Sequence, residues 1–97
     1  MLDNTLRNRL KDTVFQFLNP DSVTVFVFGS RASGLASKFS DVDLGIKSKE
    51  PIPVGTVSDI EEAFENSDLP YGVDIVDFSK VSDKFREIAE KSIIYLN

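Results

Sequence analysis

Val23-Thr24-Val25-Phe26-Val27-Phe28 is β-branched or aromatic at every position and apolar at all but one. A run of that kind forms a strand buried on both faces, so the rest of the chain must supply two covering layers. Gly29-Ser30 ends the run abruptly. With 97 residues, of which 41% are apolar and 28% charged, the chain has an ordinary globular composition and is expected to form one domain over residues 1–97.

The covering layers are legible as helical patterns. Leu2, Leu6, Leu10, Val14 and Phe17 recur at three- and four-residue spacing and predict an amphipathic helix over 4–18, stopped by Asn19-Pro20-Asp21. Residues 30–37 carry too few apolar positions for a long helix and predict a short one capped by Ser30. Asp41 to Ile46 alternates polar and apolar, the mark of a strand with one buried face. A solvated loop follows over 47–53, and Val54, Val57, Ile60 and Phe64 resume helical spacing.

Pro70-Tyr71-Gly72 reads as a turn, with Tyr71 packing in it in preference to stacking on a base, and 73–78 as a third strand. Val81, Phe85, Ile88 and Tyr95 predict a final helix reaching Leu96, capped by Ser79 or Ser82, with Lys80, Lys84, Arg86 and Lys91 on its solvated face. The eight phenylalanines are assigned to the core. The result is an α/β chain with a small mixed three-stranded sheet flanked by helices.

Histidine and cysteine are absent, which excludes serine-protease logic, thiol catalysis and zinc sites built from those residues. Chemistry must run on carboxylates, hydroxyls, lysine, arginine, backbone groups or a hard cation held by oxygens. A cysteine-free chain fits a reducing compartment, so the cytoplasm is the expected location. The net charge of −5 argues against direct nucleic-acid binding. No apolar run is long enough to span a membrane, and residues 1–18 lack the pattern of a signal peptide.

Gly29-Ser30 sits where a buried strand turns into a helix. Glycine there admits a phosphate close to the main chain, serine adds a hydroxyl donor and Arg31 adds charge, although Gly and Ser are common in any such turn. Asp41 and Asp43 are two apart in a strand and leave the same face. Like charges so placed repel by roughly 2–4 kcal/mol at an effective dielectric of about 20, so they call for a cation such as Mg²⁺, unless they simply decorate a solvated edge strand. Asp74 and Asp77 point to opposite faces of the third strand, and either is a possible third carboxylate.

Gly29-Ser30, then Gly34, then Ser40-Asp41-Val42-Asp43-Leu44, then Val73-Asp74-Ile75 together resemble the minimal nucleotidyltransferases of the DNA polymerase β superfamily. The resemblance extends from Phe26 to the end of the chain and implies the polymerase β-like nucleotidyltransferase fold. It implies that Gly29 and Ser30, with Arg31 beside them, hold the phosphates of ATP. It also implies that Asp41 and Asp43 bind two Mg²⁺ ions, and that Asp74 binds the catalytic metal or takes the proton from the attacking hydroxyl. The resemblance is what favours Asp74 over Asp77.

Stand-alone members of this family resemble antitoxins paired with a helical HEPN toxin, which implies transfer of AMP from ATP to a tyrosine of that partner. The length leaves no room for an acceptor-binding domain, and a bare three-stranded sheet leaves apolar surface for a partner or a second copy to bury. Two alternatives follow: a non-catalytic antitoxin that neutralises its partner by occlusion, and a nucleotidyltransferase acting on a small aminoglycoside-type acceptor.

Overall fold

The computed structural model describes residues 2–34 and 41–97. The buried run forms strand β1 (Val23–Phe28). Val23, Val25, Val27 and both phenylalanines of this strand are buried, as a strand covered on both faces requires. It pairs antiparallel with β2 (Val42–Ser48) on one side and with β4 (Ile94–Tyr95) on the other. Strand β3 (Val73–Asp77) lies parallel to β2, giving a mixed sheet in the order β3-β2-β1-β4. The parallel pair needs a crossover, which α3 (Thr56–Glu65) supplies.

Helix α1 (Asn4–Val14) starts at Asp3, whose carboxylate accepts the Leu6 N–H at 2.8 Å, and it buries Leu6, Leu10 and Val14. It stops four residues before the predicted end. Residues 15–17 wind into turns, Phe17 is exposed, and Leu18 packs on the core in its place. Helix α3 also starts later than its apolar spacing suggests. Val54 is fully exposed, and Gly55, at φ 89°, turns the chain before Thr56, so only Ile60 and Phe64 are buried from this helix.

The largest difference from the expected fold is at the C-terminal end. Helix α4 (Asp83–Ala89) is capped by Ser82, whose Oγ accepts the Phe85 N–H at 3.1 Å, but the chain then leaves the helix and returns as β4. The sheet is therefore four-stranded. Leu96 N–H donates to the Val25 carbonyl at 2.9 Å. The Asn97 side chain extends this pairing, accepting the Val25 N–H at 2.8 Å and donating to the Val23 carbonyl at 2.8 Å. A two-residue strand has no period of its own, so Ile94 and Tyr95 passed for helix.

Each face of the sheet has its own core. One is aliphatic: Val25, Val27, Val42, Leu44 and Ile46 pack against the inward stripes of α1 and α3. Full burial of each such side chain stabilises by about 1.5–3 kcal/mol. The other is aromatic, with Phe26, Phe28 and Phe78 packed against Ala89 of α4. Phe26 and Phe78 meet edge to face with centroids 4.8 Å apart. Gly45 makes this possible, since a Cβ there would collide with both rings. Phe85 stays exposed at the border of this cluster, so the assignment of every phenylalanine to the core fails at Phe17 and Phe85, and Phe39 lies outside the described residues. Arg86 is not purely solvated either, because it donates to the Phe78 carbonyl at 3.0 Å. No described helix is long and apolar enough to cross a membrane.

Candidate active site at one end of the sheet

Because β2 runs antiparallel to β1 and β3 runs parallel to β2, the end of β1 and the starts of β2 and β3 meet at one end of the sheet. This brings Gly29-Ser30, Asp41, Asp43 and Asp74 together. Phe28 pairs with Asp43, and Asp43 pairs with Asp74, so these residues form a row across three strands. Val42, Leu44 and Ile46 point into the aliphatic core, which directs Asp43 to the opposite face. β2 lies between β1 and β3, so the reading of its aspartates as decoration on an edge strand does not hold.

Asp77 pairs with Ile46 and so belongs to the other face from Asp74. Its carboxylate is engaged locally, accepting the Ser79 N–H at 2.9 Å and the Ser79 hydroxyl at 2.7 Å. The register thus separates the two acids that spacing alone barely distinguished.

Asp43 is half-buried in the middle of the row, while Asp41 and Asp74 are exposed on either side. Burial raises the Asp43 pKa above the ordinary aspartate value, and the neighbouring charges of Asp74 and then Asp41 raise it further. A carboxylate crowded by two others and partly desolvated is the arrangement that a hard cation relieves.

Two glycines set the spacing around the acids. Gly29, at φ 73°, stands so close to Asp43 that a Cβ would collide with its Oδ2. Gly72 borders Asp41, where a Cβ would lie 3.0 Å from Oδ1, and its carbonyl accepts the Val42 N–H at 2.9 Å. Ser30 is the first residue of the short helix α2 (Ser30–Ser33), not its cap; Gly29 holds the cap position. Gly34, at φ 82°, ends this helix, while residues 35–37 of the predicted short helix and Ser40 of the motif lie outside the described residues.

Arg31 projects from α2 toward Tyr71, with its guanidinium carbon 4.3 Å from the ring centroid. For Tyr71 the sequence suggests packing in its turn or stacking on a base, and residue order gives no sign of this contact. Gly72 was missed as a neighbour of Asp41, although a glycine beside a turn and just before a strand is a signal for close approach.

Among the described residues, no three acidic side chains form a ready-made metal cage. Mg²⁺ does not require one, because it commonly takes one or two protein carboxylates and completes its shell with water and phosphate oxygens. The donor chemistry and the crowding of Asp43 fit such an ion. From Gly29, an apolar groove of about 340 Å³ runs past Phe28, Phe85 and Ile88. A larger hollow of about 520 Å³ lies at the other end of the sheet, around Thr24, Lys47 and Lys49, away from the clustered carboxylates.

Comparison with known proteins places this geometry in a family. The sequence matches the family described as "Nucleotidyltransferase domain" over residues 8–96. It is 45% identical over 84 residues to a Haemophilus influenzae protein named "Probable protein adenylyltransferase MntA", covering 87% of this chain and 73% of the relative. The fold superposes on a crystal structure of a toxin-antitoxin with AMP-PNP with a TM-score of 0.77, at 19% identity, covering 94% of this chain and 72% of the other. It also matches a chain in the complex of tri-AMPylated Shewanella oneidensis HEPN toxin with MNT antitoxin, with a TM-score of 0.64 and 16% identity, covering 94% and 71%. From α1 to β4, in sequence and in fold, the chain belongs to the nucleotidyltransferase domain family.

Proposed function

We propose that this chain is an Mg²⁺-dependent adenylyltransferase that moves AMP from ATP to a tyrosine hydroxyl of a HEPN-type partner protein and thereby acts as its antitoxin. The observation that carries the reading is the row in which Asp43 pairs with Asp74 while Gly29 presses against the Asp43 carboxylate. The relatives support the choice of nucleotide and acceptor, since one is named as a protein adenylyltransferase and the fold recurs in a complex with an AMPylated HEPN toxin.

In this reading Gly29 and Ser30 receive the β- and γ-phosphates, with Arg31 beside them. Asp41, Asp43 and Asp74 would hold two Mg²⁺ ions, which supply charge neutralisation for the triphosphate and lower the pKa of the attacking hydroxyl. The acceptor oxygen attacks the α-phosphorus, the bond from that phosphorus to the bridging oxygen breaks, and pyrophosphate leaves. Asp74, exposed at the start of β3, takes the hydroxyl proton. The reaction belongs in the cytoplasm, where ATP and Mg²⁺ are supplied together.

Ligand-linked stability and suppression of the toxin test this together. At 100 times its dissociation constant, Mg·ATP should stabilise the fold by about 2.7 kcal/mol, a rise in Tm of roughly 10–20 °C for a domain of this size. The Asp41→Asn, Asp43→Asn double variant should lose that rise and fail to suppress the toxin. Full suppression by the double variant would replace catalysis with occlusion, and a Tm indifferent to Mg·ATP in the parent chain would remove the nucleotide.

A further inference from the structure

We propose that Tyr71 is a positioning residue for the nucleotide site, its ring fixing the Arg31 guanidinium beside the turn that abuts Asp41. The inference rests on the nucleotide reading above and deepens it. Arg31 lies one residue beyond Ser30 in α2, and Tyr71 lies three residues before Asp74. Their contact, 4.3 Å from guanidinium carbon to ring centroid, therefore joins the segment that borders the phosphates to the turn that leads into β3.

Both ends of this strap are anchored. Tyr71 and Ala32 pack against the aliphatic core, and the turn that carries Tyr71 is hydrogen-bonded to β2 through the Gly72 carbonyl and the Val42 N–H. The same turn abuts Asp41 at Gly72. The ring is thus placed by the backbone that also places two of the acids.

Stacking suits the task. A guanidinium lying on an aromatic face keeps its N–H donors in the plane of the fork, so the ring orients them without competing for them. Three carboxylates at this end of the sheet attract any long, mobile cation. A ring against the guanidinium limits where its charge can sit and so favours one approach to a bound phosphate. A lysine at position 31 would keep the charge and lose the planar stack.

The test is the affinity of the full chain for Mg·AMP-PNP by titration calorimetry, with Tm measured in parallel. Tyr71→Phe should match the parent chain. Tyr71→Leu and Arg31→Lys should each bind about 3- to 10-fold more weakly without a matching loss of Tm. Adding Tyr71→Leu to Arg31→Ala should cost nothing further. Parent-like affinity in Arg31→Lys, or an equal additional loss from Tyr71→Leu in the Arg31→Ala background, would overturn the proposal, and Arg31→Lys decides it even if Tyr71→Leu does not fold. A parent chain that binds no Mg·AMP-PNP would overturn the nucleotide reading itself, and the proposal with it.

Discussion

On the face toward α1 and α3, aliphatic side chains of the strands are closed over by two helices whose inward stripes are almost entirely buried. On the other face, aromatic rings meet the short helix α4, Phe85 and Ile88 stay exposed, and three aspartates gather where the described covering ends. The closed face buries more apolar side chains. The half-covered face is where chemistry is accessible, and it is there that the chain accepts like-charge crowding around a half-buried carboxylate.

Four substitutions probe this contrast, from the largest expected effect to the smallest. Asp43→Asn should lower AMP transfer by about 10²- to 10⁴-fold, measured as initial rate, while leaving Tm undiminished. A loss of Tm in step with activity would mean that Asp43 is structural. Leu10→Ala, on the closed face, should cost about 2–5 kcal/mol of unfolding free energy in denaturant titration. Gly29→Ala should cost about 1–3 kcal/mol for its backbone conformation, with transfer also impaired because the new Cβ meets the Asp43 carboxylate. Ile88→Ala, on the open face, should stay within about 0.5 kcal/mol. Comparable losses in Leu10→Ala and Ile88→Ala would erase the distinction between the faces.

The smallest effect is one of pH. Asp43 has a raised pKa in the folded chain, so between the unfolded and folded values the native state binds more protons than the unfolded state. Stability contributed by this group therefore falls as pH rises through that window, and the ionised carboxylate is a standing cost at neutral pH. Asp43→Asn should melt slightly higher than the parent at pH 7 in the absence of metal, and the gap should close in acid once both forms are uncharged. A gap that widens on acidification would contradict the crowding.

Much of this contrast could be read from residue order. The buried strand, the alternation over 41–46 and the stripe Leu6, Leu10, Val14 announce their structures because each repeats a period long enough to identify. Where the period is short or accidental, it misleads. Phe17 and Val54 fall on helical spacing but lie beyond the helix ends, and β4 is too short to show alternation. The acids were visible as a motif whose family resemblance favoured Asp74, but which of Asp74 and Asp77 shares a face with Asp43 depends on strand register, which residue spacing does not encode. The Arg31–Tyr71 contact joins segments far apart in the chain and has no local signature.

The central claim is that the three aspartates at one end of the sheet transfer AMP to a protein partner. Its most direct test is the intact mass of a co-expressed HEPN-type partner after incubation with this chain, ATP and Mg²⁺. The account predicts the addition of one or more adenylyl groups by the parent chain and none by the Asp41→Asn, Asp43→Asn variant. An unmodified partner that is nonetheless neutralised, or equal modification by the variant, would contradict it.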